Sequence, residues 1–299
     1  MKQYIGVDLG GTLVRAAIVD EAGEIIRQVS RPSFALESDQ KIMDNFIATI
    51  KELDFDDKVV GIGIGVPGPV DVKVGAMTMA TNIPALENYP VVKAIHDAFN
   101  LPVFMDNDAN VAGLAEAVLG AGKDLPVVYY ITHSTGIGGA LIVNGQVVSG
   151  ARGHAGEIGN IIIDRNREKY SELNAGSIET EASGGAILRR GKELLGSEIT
   201  TTKDVFDQVA ANNPLAIKLV DEIAYDFAVL LANVAHVVDP DIFVIGGGVT
   251  KSKDHYFDAV IRHFKTLVHE PMQETKFAFA SLVEPGIVGA AMLPKSQGF

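Results

Sequence analysis

The chain has 299 residues, 47% hydrophobic and 21% charged, which gives enough apolar surface for two lobes and argues against disorder. Its 38 acidic residues outnumber 25 basic ones, and the formal charge of -13 repels a phosphate backbone, so no nucleic-acid partner is expected. There is no cysteine, which removes disulfides, thiolate zinc sites and cysteine nucleophiles together and leaves the chemistry to oxygen and nitrogen groups.

Met1 to Tyr4 lead into a strand pattern with no signal-type stretch. No run approaches the roughly 18 apolar residues of a membrane span, so no membrane partner is expected and a cytoplasmic location follows. The run Tyr4-Ile5-Gly6-Val7-Asp8, the Gly10-Gly11 turn, Leu13 to Val19 and the turn Asp20 to Gly23 read as antiparallel strands joined by glycine turns. Asp39 to Leu53 carries Ile42, Phe46, Ile47 and Ile50 at helical spacing. Val59 to Val66 alternates glycine with apolar residues and stops at Pro67-Gly68-Pro69, the pattern of a buried strand ending in a tight loop. A helix from Val91 to Phe99 precedes the strand Val103-Phe104-Met105, and a second helix is expected to carry Val111 to Leu119.

The opening plan then recurs: Val127 to Ile131, a turn from His133 to Gly139, Ala140 to Val143 and the hairpin signal Asn144-Gly145. Such an internal duplication would place both glycine turns on one cleft. Gly150 to Gly185 is less regular, and mostly helix follows. Lys218 to Val238 reads as a long apolar helix that stops at Asp239-Pro240, where proline lacks the amide to continue. Ile242 to Ile245 runs as a buried strand into Gly246-Gly247-Gly248, a turn expected to meet a nucleotide. The pattern alternates α and β, with a lobe boundary near Gly120 to Lys123.

Each motif alone has two readings. A Gly-Gly-Thr turn is either only a turn or a place where bare backbone amides approach an oxyanion, with Thr12 adding a hydroxyl. Asp106 and Asp108 at a strand end are either caps of the following helix or catalytic carboxylates. Gly246 to Gly248 serve close packing or nucleotide contact. The order of the three, each preceded by a strand, is more specific than any one of them.

That order, Asp8-Leu9-Gly10-Gly11-Thr12, Asn107-Asp108-Ala109-Asn110, Thr135-Gly136-Ile137-Gly138-Gly139, Ala155-Gly156-Glu157-Ile158-Gly159 and Val244 to Val249, resembles the ROK family of bacterial sugar kinases and sugar-sensing repressors. The resemblance runs from residue 4 to Gly286-Ile287-Val288-Gly289-Ala290-Ala291. It implies an α/β, actin-like ATPase (ribonuclease H-like) fold whose two lobes close on ATP and a hexose, as a homodimer. Residues 1–120 would form the N-terminal lobe, with 286–299 packing back on it, and 121–285 the larger C-terminal lobe. By the same resemblance Asp108 is the catalytic base. Asn107, Glu157, Glu179 and Asn82 hold sugar hydroxyls, and Gly68 lies beside Asn82. Gly10, Gly11 and Thr12 form the first phosphate segment, Ser134, Thr135 and Gly136 the second, and Gly247 and Gly248 the adenosine segment, with Asp8 near the magnesium ion carried by ATP.

Two departures stand out. Many family members hold a structural zinc with one histidine and three cysteines after the Glu157 position, where this chain has Asn160, Tyr170, Glu172 and Ser177, so no zinc is expected and Asn160 is left to donate to the sugar. His154 nearby reads as a loop histidine. His133-Ser134 stands where the family has an apolar residue and glycine, so Ser134 either strains a positive-φ turn and weakens ATP binding or bonds a phosphate oxygen.

The expected activity is ATP- and Mg²⁺-dependent transfer of the γ-phosphoryl group to a hexose 6-hydroxyl, with glucose leading and N-acetylmannosamine or another hexose close behind. The alternative is a catalytically weak sugar sensor. The first phosphate turn begins at Asp8, so the winged helix of the family's repressors is not expected ahead of it. An assembly or chaperone ATPase of the same fold is disfavoured by the Asn107, Asp108 and Glu157 set.

Overall fold

A computed structural model describes residues 1–299. Strand β1 (Gln3–Leu9) turns at Gly10, whose N–H donates to Leu13 O over 2.9 Å, and returns as β2 (Leu13–Asp20), with Asp8 opposite Arg15 and Leu9 opposite Val14. β3 (Ile25–Pro32) forms the exposed edge. Helix α1 (Asp39–Glu52) starts where the Ser38 hydroxyl accepts from Lys41 N and buries Ile42, Phe46 and Ile50, the stripe its spacing implies. β4 (Val59–Val66) pairs parallel with β1, a hairpin of two-residue strands, β5 (Val70–Asp71) and β6 (Ala76–Met77), follows, and α2 (Val91–Phe99) ends at Asn100 in the left-handed conformation. β7 (Val103–Asn107) pairs parallel with β4 and runs directly into α3 (Asp108–Val118).

The plan then repeats. β8 (Val127–His133), β9 (Ile137–Val143) and β10 (Gln146–Val147) follow, the last two joined through Asn144 and Gly145, both at positive φ, as an Asn-Gly hairpin requires. After the irregular stretch come α4 (Ile178–Ala182), α5 (Gly184–Leu195), α6 (Thr202–Ala210) and α7 (Pro214–Val238). α7 begins one turn before the apolar pattern, because Asn213 caps it and Pro214 fits its first turn. β11 (Ile242–Gly246), α8 (Phe257–Leu267), β12 (Lys276–Phe279) and α9 (Pro285–Ser296) complete the chain. The first sheet has the order β3-β2-β1-β4-β7 and the second β10-β9-β8-β11-β12. Position by position these are one arrangement used twice, so the duplication read from the glycine turns extends to the whole sheet.

The chain divides into two compact units, Met1–Tyr130 with Ala140–Gly156 and Ser281–Phe299, and Ile131–Gly139 with Glu157–Ala280. In the first, α9 lies on β1 and β4 at backbone distance, which accounts for the glycines that alternate along β4. A Cβ on Gly63 would sit 1.8 Å from Ala290 O, and one on Gly61 would sit 2.7 Å from the Pro294 ring. α3 is buried at every position from Ala109 to Ala117, crossing α9 where Gly289 faces Val111 O. Its last turn is fixed by Glu116, fully buried, whose carboxylate accepts from Ala121 N, Ser281 N, Leu282 N and the Ser281 hydroxyl over 2.9 to 3.2 Å. No helix is long and apolar enough to cross a membrane.

Candidate active site

In the first unit the expected residues gather at the carboxyl ends of three adjacent parallel strands. The register pairs Asp8 of β1 with Gly65 of β4, and Val66 of β4 with Asn107 of β7. Strand ends of this kind are where open α/β sheets bind ligands, because chain turns and helix N-termini collect there. Beyond β4, Gly68 adopts φ 89 with its α-carbon against Met79 O, where a Cβ would lie at 2.6 Å. Asn82, exposed, abuts the first glycine turn, since a Cβ on Gly11 would lie 3.6 Å from Asn82. The structure therefore brings Gly68, Asn82, Gly11, Asn107 and Asp108 to one end of one sheet.

The helix that follows β7 is capped by Asn107, not by the aspartates on either side. Asn107 Oδ1 accepts from Asn110 N over 2.7 Å, which commits that oxygen and leaves the Asn107 amide nitrogen as a donor. Asp106 is buried beneath it, with Oδ1 accepting from Asn107 N at 2.8 Å and Asn110 Nδ2 at 2.6 Å, and Oδ2 accepting from the Ser149 hydroxyl at 2.8 Å. Burial pushes the Asp106 carboxyl above the usual carboxylate range, and the hydrogen bonds from Asn110, Asn107 and Ser149 oppose that push. Asp108 is different in kind: it is exposed, stands in the first turn of α3 and accepts from Ala109 N over 2.8 Å. The positive end of the helix favours an anion at that place.

Asp8, near the end of β1, is paired through Oδ2 with Arg15, which stands opposite it on β2. Arg15 Nη1 continues to Glu284 at 2.8 Å, just ahead of α9. Gly10 is half-buried, and Gly11 and Thr12 are exposed.

In the second unit the turn Ser134 to Gly136 is closed by Ser134 N donating to Gly136 O at 2.9 Å. Gly184 N and Gly185 N, the first amides of α5, donate to Ser134 O and Thr135 O at 2.7 and 3.1 Å. Gly247, at φ 91, packs so closely on β8 that a Cβ would lie 2.4 Å from His133 O. Ser134, Thr135, Gly184 and Gly185, but not Gly136 or Gly247, line a cavity of about 480 Å³ together with Thr202, Lys203, Gly248 and Lys251. Glycines without side chains open this cavity and Lys203 and Lys251 give it positive charge, which suits a nucleotide, while the first amides of α5 are spent on Ser134 O and Thr135 O. Gly184, Gly185, Lys203 and Lys251 were not among the residues expected from the sequence; the signal that Ser183-Gly184-Gly185 carries is a helix cap, Ser183 accepting from Ala186 N. Ser134 is not among the residues at positive φ, so the strain that would have set it apart from glycine is absent, and its hydroxyl lies 3.8 Å from where Gly248 would carry a Cβ.

Glu179 lies against the same turn. Its Oε2 accepts from Ile137 N over 2.8 Å, and a Cβ on Gly136 or Gly159 would come within 2.5 or 3.1 Å of that oxygen. Glu157 is exposed just before the short helical turn Ile158–Asn160. Asn160 Oδ1 accepts from Asn174 N over 2.8 Å, so that oxygen holds the loop and the amide nitrogen is what it has to donate. His154 is exposed, and nowhere do three or more His, Asp or Glu side chains come together as a metal would need.

His133 is fully buried and stacked on Phe227 at 4.5 Å, with Nε2 2.8 Å from Ala182 O and Nδ1 3.3 Å from the Tyr256 hydroxyl. That network assigns the neutral tautomer in which Nε2–H donates to Ala182 O and Nδ1 accepts. Burial drives its pKa from 6.5 down to about 4, against the pull of the Ala182 carbonyl. Between those values the unfolded chain takes up a proton that the folded chain refuses, so stability falls as the pH drops from 6.5 toward 4. A loss of about 2 kcal/mol by pH 5, read from urea unfolding, is expected, and His133→Phe should flatten that limb.

The ROK family model matches residues 4–297, and the chain belongs to that family. It is 32% identical to a glucokinase of Halalkalibacterium halodurans over 98% of this chain and 95% of that one. It is 33% identical to a beta-glucoside kinase of Listeria innocua over 81% of each. Among solved structures, the ROK hexokinase of Thermus thermophilus superposes with a TM-score of 0.86 at 29% identity, covering 99% of this chain and 100% of that one. The fold is accordingly the two-lobed, actin-like ATPase fold of the ribonuclease H-like class.

Proposed function

We propose that this member of the ROK family is a hexose kinase that transfers the γ-phosphoryl group of ATP to a sugar 6-hydroxyl, with glucose as the leading acceptor and N-acetylmannosamine next. The coarse activity, ATP-dependent phosphorylation of a sugar, is common to the kinases it is similar to. The observation that carries the finer reading is Asp108, an exposed carboxylate in the first turn of α3, directly after the Asn107 cap.

A sugar hydroxyl is a poor nucleophile at neutral pH. Asp108 accepts its proton as the sugar oxygen forms a bond to the γ-phosphorus and the bond from that phosphorus to the β,γ-bridging oxygen breaks, releasing ADP. Gly68, Asn82, Asn107 Nδ2, Glu157, Asn160 Nδ2 and Glu179 pair with sugar hydroxyls, because amides and carboxylates left unpaired would penalise the wrong acceptor. Gly11, Thr12, Thr135 and Gly136, with the Ser134 hydroxyl, face the phosphates from turns that Gly10 N and Ser134 N close, and Gly247 and Gly248 make room for the adenosine. A magnesium ion bound with ATP would neutralise charge on the phosphates, and Asp8, near the end of β1, is the carboxylate we place beside it. In this reading residues 1–120 and 286–299 are the lobe that supplies the base and 121–285 the lobe that supplies the nucleotide cradle. The chain works in the cytoplasm as a homodimer.

The test is ADP release with Mg-ATP across glucose, N-acetylglucosamine, N-acetylmannosamine, mannose, fructose and allose. Release that depends on the sugar and ranks glucose first supports the proposal. ATP hydrolysis indifferent to sugar refutes the kinase reading, and preference for another hexose refutes only the glucose assignment.

A further inference from the structure

Residues 161–177 leave the Glu157 segment and return to α4, the five-residue helix that carries Glu179. A helix that short has too few internal bonds to hold itself, so its place is set by what grips it. The ends of the loop are tied by Ile163 N to Gly176 O and Ile178 N to Ile161 O, both 2.9 Å. Its middle is held by charge. Arg167 donates through Nη1 and Nη2 to both oxygens of Asp226 on α7 at 2.6 and 2.7 Å, and through Nη1 to Glu181 of α4 at 2.9 Å. Asp226 and Glu181 are 2% and 4% exposed, so the pairing is made largely out of water.

Two arginines of α5 grip the same short helix through its backbone carbonyls. Arg190 Nη1 donates to Glu181 O at 3.0 Å and to Asp226 at 3.2 Å, and Arg189 Nη2 donates to Thr180 O at 2.7 Å while its guanidinium stacks 3.6 Å over Tyr170 of the loop. Arg167 and Arg190 match the two buried carboxylates Asp226 and Glu181 in number, and each also reaches a more exposed carboxylate, Asp164 and Glu222 respectively. Of the two arginines, Arg167 is the one contributed by the loop.

We propose that Arg167 is a positioning residue: by clamping the 161–177 loop to Asp226 and Glu181 it fixes α4, and with it the reach of Glu179 to the sugar and to Ile137 N. The inference rests on the kinase reading for the sugar role of Glu179. The clamp also acts on the bond from Ile137 N, which exists whatever the protein does. Without Arg167, Asp226 keeps Arg190, but Glu181 loses its charged partner and is drawn toward water. Glu179, two residues earlier on the same short helix, moves with it.

The test compares wild type, Arg167→Ala and Arg167→Lys by steady-state kinetics and by hydrogen exchange at single amides. Arg167→Ala should raise the hexose KM at least about tenfold with the ATP KM within about twofold, and the Ile137 amide should exchange at least about tenfold faster. Arg167→Lys should fall between, since an ammonium keeps the charge and loses the fork. Should Arg167→Ala lose its cooperative unfolding transition, the lysine variant carries the comparison. An unchanged hexose KM, or equal losses toward hexose and ATP, overturns the proposal. If wild type phosphorylates no hexose, the kinase reading has failed on its own. The Ile137 amide then decides the clamp: faster exchange upholds it, unchanged exchange ends it.

Discussion

Asp108→Asn is expected to lower kcat roughly 10²- to 10⁴-fold while leaving the unfolding midpoint and the hexose KM nearly unchanged. The substitution is isosteric, and the oxygen that accepts from Ala109 N can be kept by an amide. The helix start does not depend on this residue, because Asn107 is the cap. Exposure of the side chain means that no buried charge is removed. What is lost is the capacity to take a proton. Asp106 does not replace it: that carboxylate is buried, and both its oxygens are engaged by Asn107, Asn110 and Ser149. Sugar-dependent ADP release, measured beside thermal unfolding, separates the two quantities. A variant that kept more than about a tenth of the wild-type kcat would place the base elsewhere.

Gly289→Ala is expected to cost about 3 kcal/mol or more, from one methyl group. A Cβ there would lie 1.7 Å from Val111 O and 2.5 Å from Val111 C on α3, and neither can move aside as a flexible side chain would. α9 is pressed on its other face against Gly6 of β1 and Gly63 of β4, so it has no slack to yield. The two helices must separate, and the gap opens beside the helix whose first turn carries Asp108. A large fall in the denaturant midpoint at unchanged m-value is the expected result. Stability within about 0.5 kcal/mol of wild type would mean that α9 does not lie on α3 at this distance.

The contrast between these two residues marks what the sequence discloses. Asp108 sits in a short motif whose turn chemistry, strand and following helix are all local, and its place was legible together with the glycine turns at Gly10 and Gly136 and the repeated strand plan. Gly289 entered only as part of the segment that closes the resemblance, and its meaning lies in a carbonyl 178 residues away, from Val111 to Gly289. The glycines of β4 were read as a buried strand without sign of the helix that presses on them. Asp106 and Asp108 were candidates for the helix cap, and Asn107 takes that place because its backbone is extended and its side chain reaches back to Asn110 N. The Arg167 pairing joins residues 59 positions apart, which no periodicity reveals. In the polar loop where the zinc ligands of relatives were missing, the sequence told what was absent and gave no hint of the arginines that hold it. Ser134 was marked as a departure for its side chain, yet the backbone there has no need of glycine.

The central claim is that the phosphoryl group ends on the sugar. The most direct measurement is phosphorus NMR of the wild-type protein with Mg-ATP and glucose, following the γ-phosphoryl signal to its product. One hexose 6-phosphate formed for each ADP is the expected result. Inorganic phosphate appearing in step with ADP, with no sugar phosphate, would contradict it.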